Sequence, residues 1–248
     1  NSAEVSFIGD FTWERGDQNG NSQALYLSYA ETSQVAGYTA IGNSEISGIF
    51  RSNYDLDTET AKNLEIGGLI QQGTWTLEGA VFYRWDDDLT DWTIDFDGMG
   101  PFARSANPVD IETFGIELIA AKSWEDIEVM LSYAYLDKEE DYGDPTVDAS
   151  FYALNYANHR ATLGLIWRPV EMIKVSIDNE WRTQEENALR NNDDEAFFTH
   201  ASVTAYPPQL EGVELFISVD NAWDDDFEEV PGTPGRGDQY ALGMTYRW

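Results

Sequence analysis

The sequence predicts an all-β chain, the wall of a transmembrane antiparallel β-barrel, and three observations carry that prediction. Segments in which large apolar side chains alternate with polar ones recur from end to end, with no helical periodicity to compete with them. The connections between these segments alternate between short and long. Nine tryptophans fall at segment ends rather than in segment centres.

Composition narrows the classes first. The 248 residues carry 46 Asp and Glu against 14 Lys and Arg, a formal net charge of -32. That balance excludes nucleic acid as a partner, because such binding neutralises phosphates with cations. With no cysteine there is no disulfide framework, thiolate metal site or thiol nucleophile. No run approaches the ~20 apolar residues of a membrane-spanning helix. No basic stretch followed by an apolar one opens the chain, so any signal peptide lies outside it and Asn1 reads as a processed or truncated start.

About eleven strands follow, most near the ~9–11 residues that cross a bilayer when tilted. The first, 3–15, sets Val5, Phe7, Phe11 and Trp13 against Ser6, Asp10, Thr12 and Glu14. GDQNGN (16–21) turns it into 22–33, and after a long connection, 34–62, strands 63–72 and 74–86 meet at GT (73–74). In the second of these Trp75, Leu77, Val81, Tyr83 and Trp85 oppose Thr76, Glu78, Ala80 and Arg84. A long loop, 87–108, leads to 109–122, then SWED (123–126) and 127–137. Beyond the loop 138–156, strand 157–168 sets Ala161, Leu163, Leu165 and Trp167 against Arg160, Thr162 and Gly164. RPVE (168–171) reverses it into 171–183, where Ile173, Val175, Ile177 and Trp181 oppose Lys174, Ser176, Asp178, Glu180 and Arg182. The loop 184–195 precedes 196–206, and PPQLE (207–211) joins that strand to 212–223. A last long loop, 224–237, precedes 238–248, with Tyr240, Leu242, Met244, Tyr246 and Trp248 on one face.

Sorting of loops by length is what an outer-membrane barrel does, with short turns in the periplasm and long loops outside the cell. The C-terminus then lies on the periplasmic side and the first strand begins outside. Trp13, Trp75, Trp124, Trp167 and Trp248 lie at or beside short turns, and Trp85, Trp92, Trp181 and Trp223 at or just beyond long-loop ends. Two aromatic girdles at the water boundaries account for both groups, since indole is apolar with one polar tip. An odd strand number that starts outside cannot close alone, and open edges are not tolerated in hydrocarbon. The chain is therefore the C-terminal part of a larger barrel, or a second polypeptide supplies the missing strands, or the count is off by one in a small barrel.

SNYDLDTETAKNLEIGG (52–68) resembles the loop-to-strand segment of TonB-dependent outer-membrane receptors, where Asn-Pro-x-Leu-x-Pro-Glu-Thr precedes a Glu-x-Gly strand. Tyr54 and Thr58 stand where proline is common in that pattern. VDNAWDDDFEEVPGTPGRGDQYALGMTYRW (219–248) resembles the family's last hairpin, with Asn221, an aromatic and acidic run, Pro-Gly-Arg and a terminal aromatic. ANPVDIETFGIEL (106–118) and NHRATLGLIWRP (158–169) are similar to family strands. The resemblance implies a barrel of about 22 strands filled by an N-terminal plug, of which residues 1–248 would be the C-terminal portion, roughly the last eleven strands. It implies import of a scarce nutrient, a ferric siderophore, cobalamin or similar, with TonB-derived energy. The implied partners are outer-membrane lipid and lipopolysaccharide, a plug on a missing segment or separate chain, and the TonB complex reached through that plug. No plug or TonB box is legible in these residues.

Catalytic signatures are missing: there is no G-x-S-x-G, and His159 and His200 lie on different strands without an obvious serine. Non-enzymatic function and no bound cofactor are the expectations. The acidic runs Asp86–Asp88, Asp193–Glu195 and Asp224–Asp226 read as solvated loop surface, or as Ca²⁺ ligands that stabilise loops or bridge to lipopolysaccharide, without EF-hand spacing. Arg84, Glu117, Arg160, Lys174, Glu180, Arg182, Glu214 and Arg247 face the lumen, since each would cost up to ~2–4 kcal/mol against lipid. Arg84, Glu180 and Arg182, near the outer mouth, and His200, beside Ser202 and Thr204, are the candidate substrate contacts. A passive channel or small independent barrel, and a structural or adhesion barrel, remain alternatives.

Overall fold

A computed structural model describes residues 6–42, 50–98, 104–143, 145–233 and 235–248. Eleven long strands run antiparallel in one sheet: β1 (Ile8–Gly16), β2 (Ser22–Val35), β4 (Thr58–Gln72), β5 (Trp75–Ile94), β6 (Arg104–Ser123), β7 (Ile127–Asp141), β9 (Ala157–Val170), β10 (Ile173–Gln184), β11 (Glu195–Ala205), β12 (Val213–Asp220) and β13 (Gln239–Tyr246). Each pairs with its predecessor and successor in that order, and β1 and β13 are the two free edges. Two short strands stand off this path: β3 (Phe50–Arg51), parallel to β6, and β8 (Ala149–Ser150), against β5. A single turn of helix, α1 (Tyr38–Gly42), completes the described elements. All eleven strands read from the alternation are present; Val5, assigned to the first, lies outside the described residues.

Register places apolar side chains opposite one another across every pair, as in Trp13 with Leu25, Leu27 with Ile66, Val81 with Ile116, Leu131 with Leu163 and Ile217 with Leu242. This face has no protein cover: Ile66 is 60% exposed and Leu242 84%. A contiguous apolar surface of this size is an interaction surface, and removing each such side chain from water is worth ~1.5–3 kcal/mol. On it Trp75 and Trp85 are ten residues apart on β5, about 33 Å along the strand and about 25 Å vertically when tilted, the height of a barrel's apolar band. Around the level of Trp85 an aromatic belt crosses the sheet, Tyr83 against Trp85 at 4.7 Å, Tyr135 against His159 at 5.0 Å and His159 against Trp181 at 6.4 Å between ring centres. At the short-turn end the Lys122 ammonium sits 4.2 Å above the Trp75 ring and 4.7 Å above Trp124.

On the opposite face an aromatic ring lies across a glycine of the neighbouring strand three times: Tyr26 over Gly67, Phe82 over Gly115 and Phe216 over Gly243. A Cβ at any of these glycines would collide with the ring. The same face carries paired polar groups, including Tyr26 donating to Glu65 at 2.7 Å, Arg160 with Glu180 at 2.7 Å and Arg247 with Glu214 at 3.1 Å.

Several loop boundaries differ from the sequence reading: β4 starts at Thr58 rather than 63, β7 runs to Asp141 rather than 137, and the largest difference lies between β5 and β6. The segment 87–108 is largely strand, because β5 continues to Ile94 and β6 starts at Arg104. A bulge between Asp86 and Leu89, with Asp88 at φ 57°, lets pairing resume with Leu89 opposite Val109 after Asp86 opposite Ile111. The one extra residue reverses the parity of β5, so Leu89, Asp91 and Thr93 point to the polar face that even-numbered residues occupy below the bulge. Trp92 therefore stays on the same face as Trp85, seven residues further out and stacked edge-on against Phe50 at 5.2 Å. The extension also creates the buried apolar cluster of Val109, Ile111 and Ala153, with Leu89 and Tyr142 packed on it.

Candidate functional site

Everything assembled at the long-loop end rests on that β5–β6 extension. Asp91, delivered to the inner face by the bulge, is 0% exposed. Its carboxylate accepts from the Tyr142 hydroxyl at 2.7 Å and from the backbone N–H groups of Ala153 at 3.1 Å and Tyr152 at 3.3 Å. A buried carboxylate is tolerable only when satisfied in this way, and three bonds pin the segment 142–156 to the wall. Burial, and then the adjacent Asp91 charge, push the Tyr142 phenol well above its usual range, so it remains a donor. Arg104 adds a second anchor, its guanidinium 3.8 Å above the Phe151 ring.

Three long loops are then tied to one another. Asn187 donates to the Ser150 carbonyl and Asn155 to the Glu229 carbonyl, each at 2.6 Å. Arg190, with its side chain 1% exposed, donates to the Glu185 carbonyl at 3.0 Å and to Asn155 Oδ1 at 2.9 Å, and it pairs with Asp194. Glu228 accepts from Gly232 N–H at 2.8 Å and from the Asn191 side chain at 3.3 Å. Burial would raise the Glu228 carboxyl, but these donors and the Arg190 charge outweigh it and hold the group below its ordinary value. The described residues of 142–156, 185–194 and 221–238 therefore form one cross-bonded cap at the long-loop end.

Beside that cap lies an open polar cavity of about 750 Å³. Its walls come from residues 51–55, the outer ends of β5 and β6, and Pro145 and Thr146. Asn107 spans to β5 by donating to Thr93 Oγ1 at 2.7 Å.

The residues singled out from sequence face the inner side but are not gathered into one site. Arg84 is held by both oxygens of Asp86, at 2.9 and 2.8 Å from Nε. Glu180 lies between Arg160 at 2.7 Å and Arg182 at 2.5 Å. Arg182 is covered by the cap, its guanidinium 4.6 Å from the Phe227 ring and 5.4 Å from Phe198. His200 stands apart on β11, half exposed, 3.4 Å from Asp220. β6, β7 and β9 separate Arg84 from Glu180. His159 is on the lipid-type face, bonded through Nδ1 to the Tyr133 hydroxyl at 2.8 Å, so the two histidines serve different surfaces. Among the described residues no group of three His, Asp or Glu is arranged to hold a metal ion. Asp91, Arg190, Glu228 and the cavity residues were not legible as a site; the one hint was the density of Asn and Asp in the loops, residues that bond readily to nearby main chain.

With an open antiparallel sheet, one lipid-type face, two aromatic levels and long loops gathered at one end, the comparison with known proteins becomes specific. The model of the family described as TonB dependent receptor-like, beta-barrel matches residues 11–222. The chain belongs to that family. Its fold is similar to the FrpB iron transporter from Neisseria meningitidis, with a TM-score of 0.68 at 17% identity over 96% of this chain and 39% of that one. It is also similar to the ferric-catecholate import receptor Fiu from K12 E. coli (TM-score 0.63, 17% identity, 91% of this chain and 34% of that one). A third similar structure is the pyoverdine receptor FpvA from Pseudomonas aeruginosa PAO1 (TM-score 0.63, 11% identity, 92% and 36%). No curated protein matches the chain in sequence. The chain thus spans less than two fifths of the length of these receptors. Membership of a TonB-dependent receptor family places the wall in the outer membrane, with the bare apolar face toward lipid and the polar face toward the lumen.

Proposed function

We propose that residues 1–248 form the C-terminal part of a receptor barrel of about 22 strands and take part in energised import of a scarce nutrient. The observation that supports this best is the combination of a family match over residues 11–222 with a sheet whose β1 and β13 edges are both unpaired. An open edge in hydrocarbon leaves backbone groups unbonded at several kcal/mol each, so further strands must meet both edges. The plug that fills such a barrel then lies on another segment or chain, and the TonB complex acts through it. Lipid and lipopolysaccharide surround the wall. The similar structures carry titles naming iron, ferric-catecholate and pyoverdine, and a ferric siderophore, cobalamin or a similarly scarce solute is the corresponding cargo class here. Of the candidate contacts, Arg84 and His200 are half-exposed on the lumen side and are the two open to cargo, whereas Glu180 and Arg182 are paired with each other beneath the cap.

Transport of this kind involves binding and gated release without covalent chemistry. The test is uptake by cells carrying the complete receptor, with and without the energising TonB complex. Surface binding retained but uptake lost without TonB supports the reading. Uptake that continues undiminished, or a steady conductance from the purified receptor in a planar bilayer, identifies a passive channel instead.

A further inference from the structure

The two water boundaries of the lipid face are unlike in charge. At the long-loop end, the register that carries Trp85 also brings Glu31, Glu112 and Glu139 to this face, and Lys62 there is committed to Asp87 at 3.0 Å. At the short-turn end, Trp75 on β5 and Lys122 on β6 stand directly opposite one another. The half-buried Lys122 ammonium has no hydrogen bond or ion pair among the described residues. It lies instead over two indole faces, 4.2 Å from the Trp75 ring centre and 4.7 Å from that of Trp124. Ring faces attract the charge without taking its protons, so the N–H donors stay available. The two rings also restrict a long side chain that is otherwise costly to order.

Two grooves flank this ammonium along the wall. One, of about 290 Å³, lies on β4 and β5 between Ile70, Gln72, Trp75 and Leu77. The other, of about 470 Å³, lies at the start of β7 against Trp124, Ile127 and Val129. β6, which carries Lys122, runs between them. The turn from β6 to β7, closed by Trp124 N–H donating to the Ile127 carbonyl at 2.7 Å, adds Glu125 and Asp126 to the second groove. Both are exposed, and among the described residues neither carboxylate has a hydrogen bond or ion pair. A poised ammonium at the boundary, an apolar groove on each side of it and two open carboxylates in the adjoining turn match a molecule with an anionic phosphate, two acyl chains and a cationic amine.

We propose that Lys122, held between Trp75 and Trp124, binds the phosphate of a zwitterionic aminophospholipid of the periplasmic leaflet, and that Glu125 and Asp126 receive its amine. The leaflet follows from the short turns, which face the periplasm in barrels of this kind, where the membrane surface is phospholipid rather than lipopolysaccharide. The two carboxylates set the choice among phospholipids, since they attract an amine and oppose a headgroup that carries only negative charge. The proposal rests on the placement of the wall in the outer membrane and is independent of the cargo.

The experiment uses the complete receptor in mild detergent, stripped of lipid and loaded with equal amounts of phosphatidylethanolamine and phosphatidylglycerol, with retained lipid read by native mass spectrometry. The expected result is preferential retention of phosphatidylethanolamine, lowered roughly tenfold in Lys122→Gln and roughly threefold in Trp124→Leu. Lys62→Gln, at the opposite boundary, should leave it unchanged, and the double variant Glu125→Gln, Asp126→Asn should turn the preference toward phosphatidylglycerol. All variants are compared as folded, heat-modifiable species, and Trp124→Leu, which keeps the charge, supplies the reading where Lys122→Gln does not assemble. Retention in Lys122→Gln equal to the parent overturns the proposal, as does a loss of the same size in Lys62→Gln, which marks general charge attraction. A parent that prefers phosphatidylglycerol overturns the aminophospholipid in favour of an anionic lipid, and retention of neither overturns the site outright.

Discussion

Arg190 concentrates in one side chain what holds the long-loop end together. It is 1% exposed, and its donors satisfy a carbonyl of its own loop, Asn155 of another loop and Asp194. Replacing it by Met keeps most of the volume and removes every donor, so a buried carbonyl and an amide oxygen lose their partners. Breaking this part-buried network from one side costs about 1–3 kcal/mol, since Asp194 is still reached by water. Arg190→Met is therefore expected to open the segments 185–194 and 142–156 to limited proteolysis while the strands remain protease-resistant and the thermal transition of the barrel moves little. Cleavage at parental rates would show that the cap does not depend on this hub. Little of this was legible in NALRNN: Asp194 is four residues on, but the other acceptors are the main-chain carbonyl of Glu185 and the side chain of Asn155, 35 positions away. Asp91 was hidden for a different reason: Asp88 sits at φ 57°, the pairing slips there, and a residue that simple alternation assigns to the outer face turns inward.

At the scale of the strand, period-2 alternation was sufficient, because one-residue errors of register would move every large side chain to the wrong side. Tyr240, Leu242, Met244 and Tyr246 on β13 lie opposite Val219, Ile217, Leu215 and Val213 on β12, the arrangement their spacing predicts. The strand ends were less legible: β5 and β6 run far past the membrane band, and their outer residues, rich in Asp and Thr, read as loop. The face assignment can be measured on β13 itself. Leu242→Arg puts a charge on the lipid face, with an expected cost of ~2–4 kcal/mol near the midplane, whereas Thr245→Arg on the lumen face should cost far less. Urea titrations of the complete receptor refolded in lipid vesicles would read the difference, and equal midpoints for the two variants would contradict the assignment.

For the whole molecule, the decisive property is that the sheet has two edges. Within it β1 bonds only to β2 and β13 only to β12, so along each outer edge alternate N–H and C=O groups have no strand to bond. In water such an edge is an aggregation hazard; in hydrocarbon it is excluded energetically, since no solvent can replace the missing bonds. Curling the sheet would not remove the problem cheaply, because the inner face already carries the Arg160–Glu180–Arg182 chain and rings packed over Gly67, Gly115 and Gly243, a surface shaped for a wide barrel. Residues 1–248 refolded alone into lipid vesicles are accordingly expected to give no heat-resistant compact band in semi-native electrophoresis. The same residues within a polypeptide that supplies the remaining strands should give one. A compact, heat-resistant species from residues 1–248 alone would mean that β1 and β13 find each other or a second copy, and the wide-barrel reading of the wall would then give way to a small self-closed barrel or a dimeric one.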